Sequence, residues 1–416
     1  MEQQRLKHGG SELKEVQIAC VPVEVSRIVK DDAKIAIELR YLPPAQTEWV
    51  TVVWWLDELL AGDIKSDVWS ELARNGLVVS KLYAIKEMIR KAVLEGLMSG
   101  TVTEVAGTTR CGWHGNEFLA PGFKTSGAPE FIGNQRHIGA WSQSGDRDAY
   151  LSRMCGVLAS NPNVALICGY FVAGSIISRV DSENFMLGIV GRSTEGKTLA
   201  IRTALSMRGR NDEFPTFDAT GGALKNLLQT SNDQCLLIDE TGQSTMRPED
   251  RARFVYDVSQ GKMRVRLARE MGGYAAQGDL NKSYYSVIFT GEESILAGAK
   301  NVPSGVKVRA TELHFSRDAG RPLWHDIRTP AAADAWAMFL KENHGWLMPL
   351  VIERIQQLGD AGLRERFATT LEALRAQVKA SGGNELAQRK VKLLAAALVG
   401  VELLADVLDF STDAAK

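Results

Sequence analysis

The stretch Phe185-Met-Leu-Gly-Ile-Val-Gly191-Arg-Ser-Thr-Glu-Gly196-Lys197-Thr198-Leu-Ala constrains this chain more than any other. An apolar run of strand length ends at Gly191, and a helix-forming run starts at Lys197. Between them lies G-x-x-x-x-G-K-[ST], the pattern of a phosphate-binding loop. The two glycines let the backbone fold tightly, so that its N–H groups turn inward toward phosphate oxygens. The helix N-terminus adds partial positive charge. The expected contacts are Gly191, Arg192, Ser193, Thr194, Glu195, Gly196, Lys197, Thr198 and Leu199. Lys197 can reach the β/γ-phosphates, and the Thr198 hydroxyl can ligate Mg²⁺. Strand–helix alternation continues beyond the loop, which predicts a parallel sheet with helices on both faces. The expected fold class is an α/β P-loop NTPase.

A second motif follows in Cys235-Leu-Leu-Ile-Asp239-Glu240. Four apolar residues suit a central parallel strand buried on both faces. The two carboxylates fall at its C-terminal end, where open α/β sheets bind ligands. Asp239 suits a role at the nucleotide through Mg²⁺, and Glu240 suits a general base acting on the attacking water. A further strand, Tyr284-Tyr-Ser-Val-Ile-Phe, ends at Thr290. Two readings of Thr290 stand side by side: a polar tip that positions the water, and a helix N-cap before Glu292 and Glu293.

The net charge is −1, so contact with nucleic acid must come from a local patch rather than a global field. One candidate exists. Lys262, Arg264 and Arg266 alternate with Met263, Val265 and Leu267, and Gly272-Gly273 follows. In a strand, all three charges share one face. A basic-faced hairpin suits phosphate backbone contact, and a solvated strand edge protected by charge is the alternative.

Along the chain, residues 1–10 read as a loose tail without the apolar core of a signal peptide. Residues 16–53 read as a β-meander, followed by helices over 56–75 and 81–98 with Gly76 and Gly100 as stops. Short strands fill 102–138, where Trp113 and His114 read as a core tryptophan beside a turn residue. The polar segment 139–146 marks a boundary. The expected domains are an N-terminal α+β domain (1–145), the ATPase core (146–320) and a C-terminal helical lid (321–416). A strand is expected over 306–315, and helices over 331–343, 345–358, 364–380 and 384–408. The five cysteines are dispersed, with no C-x-x-C pair. That speaks against a zinc site and for a reducing, cytoplasmic setting. The apolar run after Val164 is short and interrupted by Gly and Ser, so a buried helix is expected rather than a membrane span.

The ordered series resembles the domain-of-unknown-function 927 family from about Val16 to Leu408. The carrying residues are Gly112-Trp113, the loop Ser193 to Thr198, Asp218-Ala-Thr-Gly-Gly-Ala-Leu and Ile238-Asp239-Glu240. They continue through Gln260-Gly261-Lys262-x-Arg264, Thr290-Gly291-Glu292, Val308-Arg309 and Arg389. That family is grouped with superfamily II helicases and their inactivated derivatives, its core looks like an AAA+ ATPase, and it occurs in mobile elements. The resemblance implies ATP and Mg²⁺ as cofactors. By analogy with hexameric AAA+ helicases, it further implies that Lys262, Arg264 and Arg266 form a pore loop. Arg309 would be an arginine finger on a neighbour's nucleotide, and Arg389 a sensor from the lid. Many members carry a primase-like domain ahead of this region. This chain has no room for one, so priming is not expected.

The resulting expectation is an oligomeric, hexamer-like ATPase acting as a helicase on single-stranded DNA in the replication of a mobile element. The alternative is a nucleotide-dependent switch or loader that holds DNA or protein without unwinding. A GTPase is disfavoured, because Asn281-Lys282-Ser-Tyr lacks the aspartate of the guanine motif.

Overall fold

A computed structural model describes residues 2–5, 11–14, 19, 21–30, 35–44, 46–63, 65–132, 141–180, 182–212, 214–217, 224, 227–228, 231–243, 246–261, 283–300, 302–383 and 385–411. The chain forms two compact units: Met1–Thr109 with Pro129–Asn134, and Arg110–Ala128 with Gln135–Lys416.

In the first unit, β1 (Glu2–Arg5) pairs antiparallel with β2 (Ser11–Lys14), where the sequence suggested a loose tail. The expected meander is β3 (Val23–Lys30), β4 (Ile35–Tyr41) and β5 (Val50–Trp55), antiparallel throughout. β6 (Thr103–Thr108) joins parallel to β3. The helical stretch expected over 56–75 is two helices, α1 (Leu56–Ala61) and α2 (Asp67–Arg74), broken at Gly62. Gly62 closes α1, its amide donating to Glu58 O at 3.0 Å. The next helix, α3 (Leu82–Ser99), stops at Gly100 in the left-handed region. Ile28, Ile37, Leu39, Leu59, Trp69 and Ile85 form the core of this unit.

The second unit starts with a small antiparallel sheet of β7 (Gly112–His114), β8 (Glu117–Ala120) and β9 (Phe123–Lys124). Residues 110–128 thus belong to the second compact unit, although the sequence pattern groups them with the N-terminal domain. Phe118, Ala120 and Trp141 sit in the same apolar cluster as the central sheet, which accounts for the grouping. β10 (Glu130–Phe131) returns to the first unit beside β6.

Helix α4 (Arg147–Ser160) is capped by Asp146, whose side chain accepts from the Asp148 and Ala149 amides. The apolar run predicted to be a buried helix is α5 (Pro162–Ala173), buried from Val164 to Ala173 except for the half-buried Leu166. Among the described residues, no single helix is long and apolar enough to cross a membrane.

The central sheet comprises β11 (Phe185–Val190), β12 (Gln234–Ile238), β13 (Tyr285–Gly291) and β14 (Ala310–His314), all parallel, in the order β12-β13-β11-β14. Every residue of the first three strands is buried, as the unbroken apolar runs require. Alternate side chains serve opposite faces. Phe185, Leu187 and Ile189 join one apolar cluster, whereas Met186, Leu236, Ile238, Val287 and Phe289 join the other. α6 (Lys197–Ser206) covers the first face and α7 (Pro248–Gln260) the second.

The strand expected over 306–315 begins only at Ala310. Residues before it form α8 (Ser304–Arg309), N-capped by Pro303. The C-terminal helices are α9 (Pro330–Glu342), α10 (Leu347–Ala380) and α11 (Glu385–Leu408). Two predicted helices merge into α10 across a kink at Gly359, whose φ is 65°. These helices share the apolar cluster of the central sheet and belong to the same compact unit. α11 crosses α5 closely: a Cβ on Gly400 would meet Gly169 O at 2.2 Å.

Candidate functional site

The sheet delivers four chain segments to one end. β11 leads into the loop 191–196, and the Gly191 amide donates to Gly291 O at 3.1 Å, tying the loop to the end of β13. A Cβ at Gly191 would stand 2.8 Å from Phe315 O, so the loop start fits only glycine. The loop turns through left-handed backbone at Thr194 (φ 75°) and Gly196 (φ 82°). For a β-branched residue such as Thr194 that conformation is strained, and such strain gathers at functional loops. Trp324 closes over Gly196, its Nε1 donating to Gly196 O at 3.1 Å. A Cβ there would meet that nitrogen at 2.6 Å.

Lys197 folds its ammonium back into the loop, donating to Gly191 O at 2.7 Å and Arg192 O at 2.8 Å. Partial burial lowers its pKa, against the pull of Glu292, Asp239, Glu195 and Glu240. One residue on, Thr198 Oγ1 donates to Asp239 Oδ2 at 3.2 Å. The Asp239 backbone is bracketed by the neighbouring segment: its amide donates to Pro215 O at 3.0 Å, and the Phe217 amide donates to Asp239 O at 3.2 Å.

Thr290 completes the arrangement. Its hydroxyl donates a short hydrogen bond to Asp239 Oδ1 and accepts from the Glu240 amide at 3.0 Å. The Glu240 amide also approaches Asp239 Oδ1 at 3.1 Å, and Glu240 takes a left-handed backbone, φ 56°. Thr290 is 1% exposed. It lies within β13 rather than at a helix N-cap. Its one proton is committed to Asp239, so it orders the Asp-Glu pair instead of facing open space. Glu240, by contrast, is exposed at the strand tip.

Several other predicted contacts face elsewhere. Glu195 turns its side chain to the end of β14, accepting from the Arg317 amide at 3.2 Å. Arg192 is exposed and pairs with Asp318 at 3.4 Å. Ser193 is exposed, and Leu199 packs against the apolar cluster, leaving only its backbone to the loop. A cleft of about 490 Å³ opens beside the loop, lined by Gly191, Arg192, Glu292, His314, Phe315 and Ser316. Two contributors are not foreseen from the sequence pattern. Glu292 follows the Thr290-Gly291 pair directly, so its place as a strand-tip acid is its only signal. Trp324 carries no local signal, because its role exists only once the helical region packs on the loop.

Arg309 lies at the opposite end of the sheet. Ala310 pairs with Met186 and His314 with Val190. At ~3.3 Å per residue, Arg309 sits on the order of 16 Å along the strands from the loop. Its guanidinium stacks over Tyr256 at 4.9 Å from the ring centroid, and Nη1 donates to Gly305 O at 3.2 Å. Arg309 therefore does not reach the loop of its own chain. Arg389 falls near the start of α11, and its side chain lies outside the described residues, as do Lys262, Arg264 and Arg266. Trp113 and His114 serve the fold: Trp113 Nε1 donates to Ser175 O at 2.7 Å, and His114 Nε2 pairs with Arg110 O at 2.9 Å.

Among the described residues, no cluster of three or more His, Cys, Asp or Glu forms a metal cage. Thr198 and Asp239 instead offer two hard oxygens beside the loop, the donor set of a Mg²⁺ that shares its shell with substrate phosphates.

No curated protein matches the chain. A solved structure titled "SCCmec type IV Cch - active helicase" has a similar fold, with a TM-score of 0.68 and 16% identity over 97% of this chain and 74% of that one. Residues 1–276 match the family described as Domain of unknown function (DUF927). With that match spanning well over half of its 416 residues, the chain belongs to the domain-of-unknown-function 927 family.

Proposed function

We propose that this protein is an AAA+-like P-loop ATPase that works as a DNA helicase or translocase of a mobile element, assembled as an oligomeric ring. One observation carries the reading: Thr198, Asp239, Thr290 and Glu240 are joined by hydrogen bonds at the C-terminal end of a parallel sheet, beside a glycine-bounded loop. The fold likeness to a protein titled an active helicase supports the same class.

In this reading the loop 191–198 is the Walker A element, and β12 with Asp239 and Glu240 is the Walker B element. Lys197 exchanges the carbonyls of Gly191 and Arg192 for phosphate oxygens. Thr198 and Asp239 hold Mg²⁺, which when bound neutralises charge on the transferring phosphoryl group. Glu240, exposed beside the loop, orients the attacking water and takes its proton. Thr290 holds Asp239 and Glu240 in register, acting through them. Arg309 acts on the nucleotide of a neighbouring subunit, since its own loop is out of reach. Lys262, Arg264 and Arg266 grip the DNA backbone.

ATP-dependent displacement of a labelled strand from a forked duplex tests this reading. We expect displacement that needs ATP and Mg²⁺ and is lost in Lys197→Ala. ATP turnover without any displacement, on either fork polarity, would favour the switch or loader.

A further inference from the structure

A second concave site lies at the far end of α6 from the loop. α6 has ten residues, so the two sites are separated by roughly 15 Å of helix. The cavity measures about 360 Å³ and is lined by Ser142, Arg210, Asn211, Asp212, Lys341 and His344. Three chain segments frame it. The Ser142 amide donates to Arg208 O at 3.1 Å, the Ser144 and His344 backbones pair at 3.1 Å, and the Gly345 amide donates to Ser206 O at 2.7 Å. The last of these bonds takes up the terminal carbonyl of α6, so that group does not stand open toward the cavity.

The lining is chemically incomplete. Ser142 Oγ, Asn211 Nδ2 and His344 Nδ1 are buried and make no hydrogen bond to the protein. Asn211 and His344 are 3% and 6% exposed. Buried donors without partners are costly and rare, and each one calls for a partner. Asn211 Nδ2 can only donate, and Ser142 and His344 can donate as well. The charges point the same way. Arg210 and Asp212 neutralise each other through two bonds of 3.3 Å. Asp212 has its pKa lowered by that bond first and by Lys341 last. Lys341 is left as the cation in excess at the rim.

We infer that this cavity is a second ligand site, distinct from the loop, which takes a small phosphate-bearing molecule. Unpartnered donors on three segments of the lining suit a tetrahedral oxyanion, which presents acceptors in several directions. The volume falls within the range of small-ligand pockets and exceeds what a lone phosphate fills. The ligand is therefore either free phosphate with water or a phosphorylated compound as small as a nucleoside monophosphate.

Isothermal titration of the full chain carrying Lys197→Ala, which weakens the loop site, tests this with inorganic phosphate and with adenosine monophosphate as probes. Binding of one equivalent of either probe is expected. Lys341→Ala added to that background should weaken binding about tenfold or more, as removal of a charge-assisted hydrogen bond does. Tighter binding of the monophosphate than of phosphate would identify a site that also holds the nucleoside. Lys341 is exposed, so its removal leaves folding intact, checked by an unchanged Tm. Absence of binding by both probes would overturn the inference. Unaltered affinity after Lys341→Ala would overturn it too.

Discussion

The Thr198 hydroxyl donates to Asp239 Oδ2 at 3.2 Å, joining the first turn of α6 to the tip of β12. β13 lies between β12 and β11 in the sheet, so this contact spans an intervening strand. Thr290, at the end of that strand, supplies the hydrogen bonds that hold the other side of Asp239. The first turn of α6 and the polar tips of β12 and β13 thus act together, and changes at any one of them should be felt at the others.

Removing the Thr290 hydroxyl tests that linkage. Thr290→Val keeps the shape but removes two hydrogen bonds, leaving Asp239 Oδ1 and the Glu240 amide with only each other, at a cost of roughly 1 kcal/mol per bond lost. We expect turnover to fall about 10–100-fold with little change in nucleotide affinity, and Thr290→Ser to recover most of the deficit. Steady-state ATPase beside fluorescent-nucleotide binding separates the two effects. Equal rates for Thr290→Val and wild type would remove Thr290 from the site.

Arg309 should act between subunits. The register of β14 on β11 places it at the far end of the sheet from its own loop. An arginine supplied in trans contributes ~10³–10⁵ in rate. Arg309→Ala subunits mixed with Lys197→Ala subunits should therefore regain activity, because some interfaces join an intact loop to an intact arginine. Mixed assemblies that form without any recovery would contradict a trans role.

The Lys262, Arg264 and Arg266 run should carry part of the DNA affinity. Removing one cation from a phosphate lowers the log–log salt slope by about one. Lys262→Ala with Arg264→Ala should weaken binding to all sequences alike and flatten that slope, while basal ATPase persists. Titration of single-stranded DNA at several salt concentrations checks it. An unchanged slope would leave these charges as a solvated edge.

Asp233 should impose a pH dependence on stability. Burial pushes its carboxyl up to about 6, although Asn232 and the Trp113 amide donate to it. An unfolded aspartate titrates near ~3.9. Between these values the native state holds the extra proton, so stability falls as pH rises through the window and the contribution is gone above it. Asp233→Asn should flatten the trend by roughly 2 kcal/mol between about pH 4 and 6. Tm measured across that range for both proteins decides it, and parallel curves would refute the assignment.

Much of this site is legible in the sequence, because its parts are local. A strand-length apolar run, two glycines, a lysine and a threonine specify loop and helix start together. Ile238-Asp239-Glu240 places two acids at a strand tip by length alone. What is not legible depends on packing or on competing periods. Val306-Lys-Val-Arg309 alternates like a strand, but these residues belong to the short helix Ser304–Arg309 that follows Pro303. Trp324 reaches Gly196 from far along the chain. The small sheet of β7 to β9 falls on the other side of the expected boundary, since Phe118 and Trp141 reveal their partners only in three dimensions.

The central claim is that Glu240 supplies the base for ATP hydrolysis at the loop 191–198. Glu240→Gln keeps the backbone amide that bonds Thr290 and removes only the carboxylate. The most direct measurement is ATP turnover by this variant, paired with its ATP affinity in the presence of Mg²⁺. The account predicts affinity within a few-fold of wild type and turnover reduced by about 10²–10⁴-fold, the usual worth of general-base catalysis. Hydrolysis at the wild-type rate would contradict it.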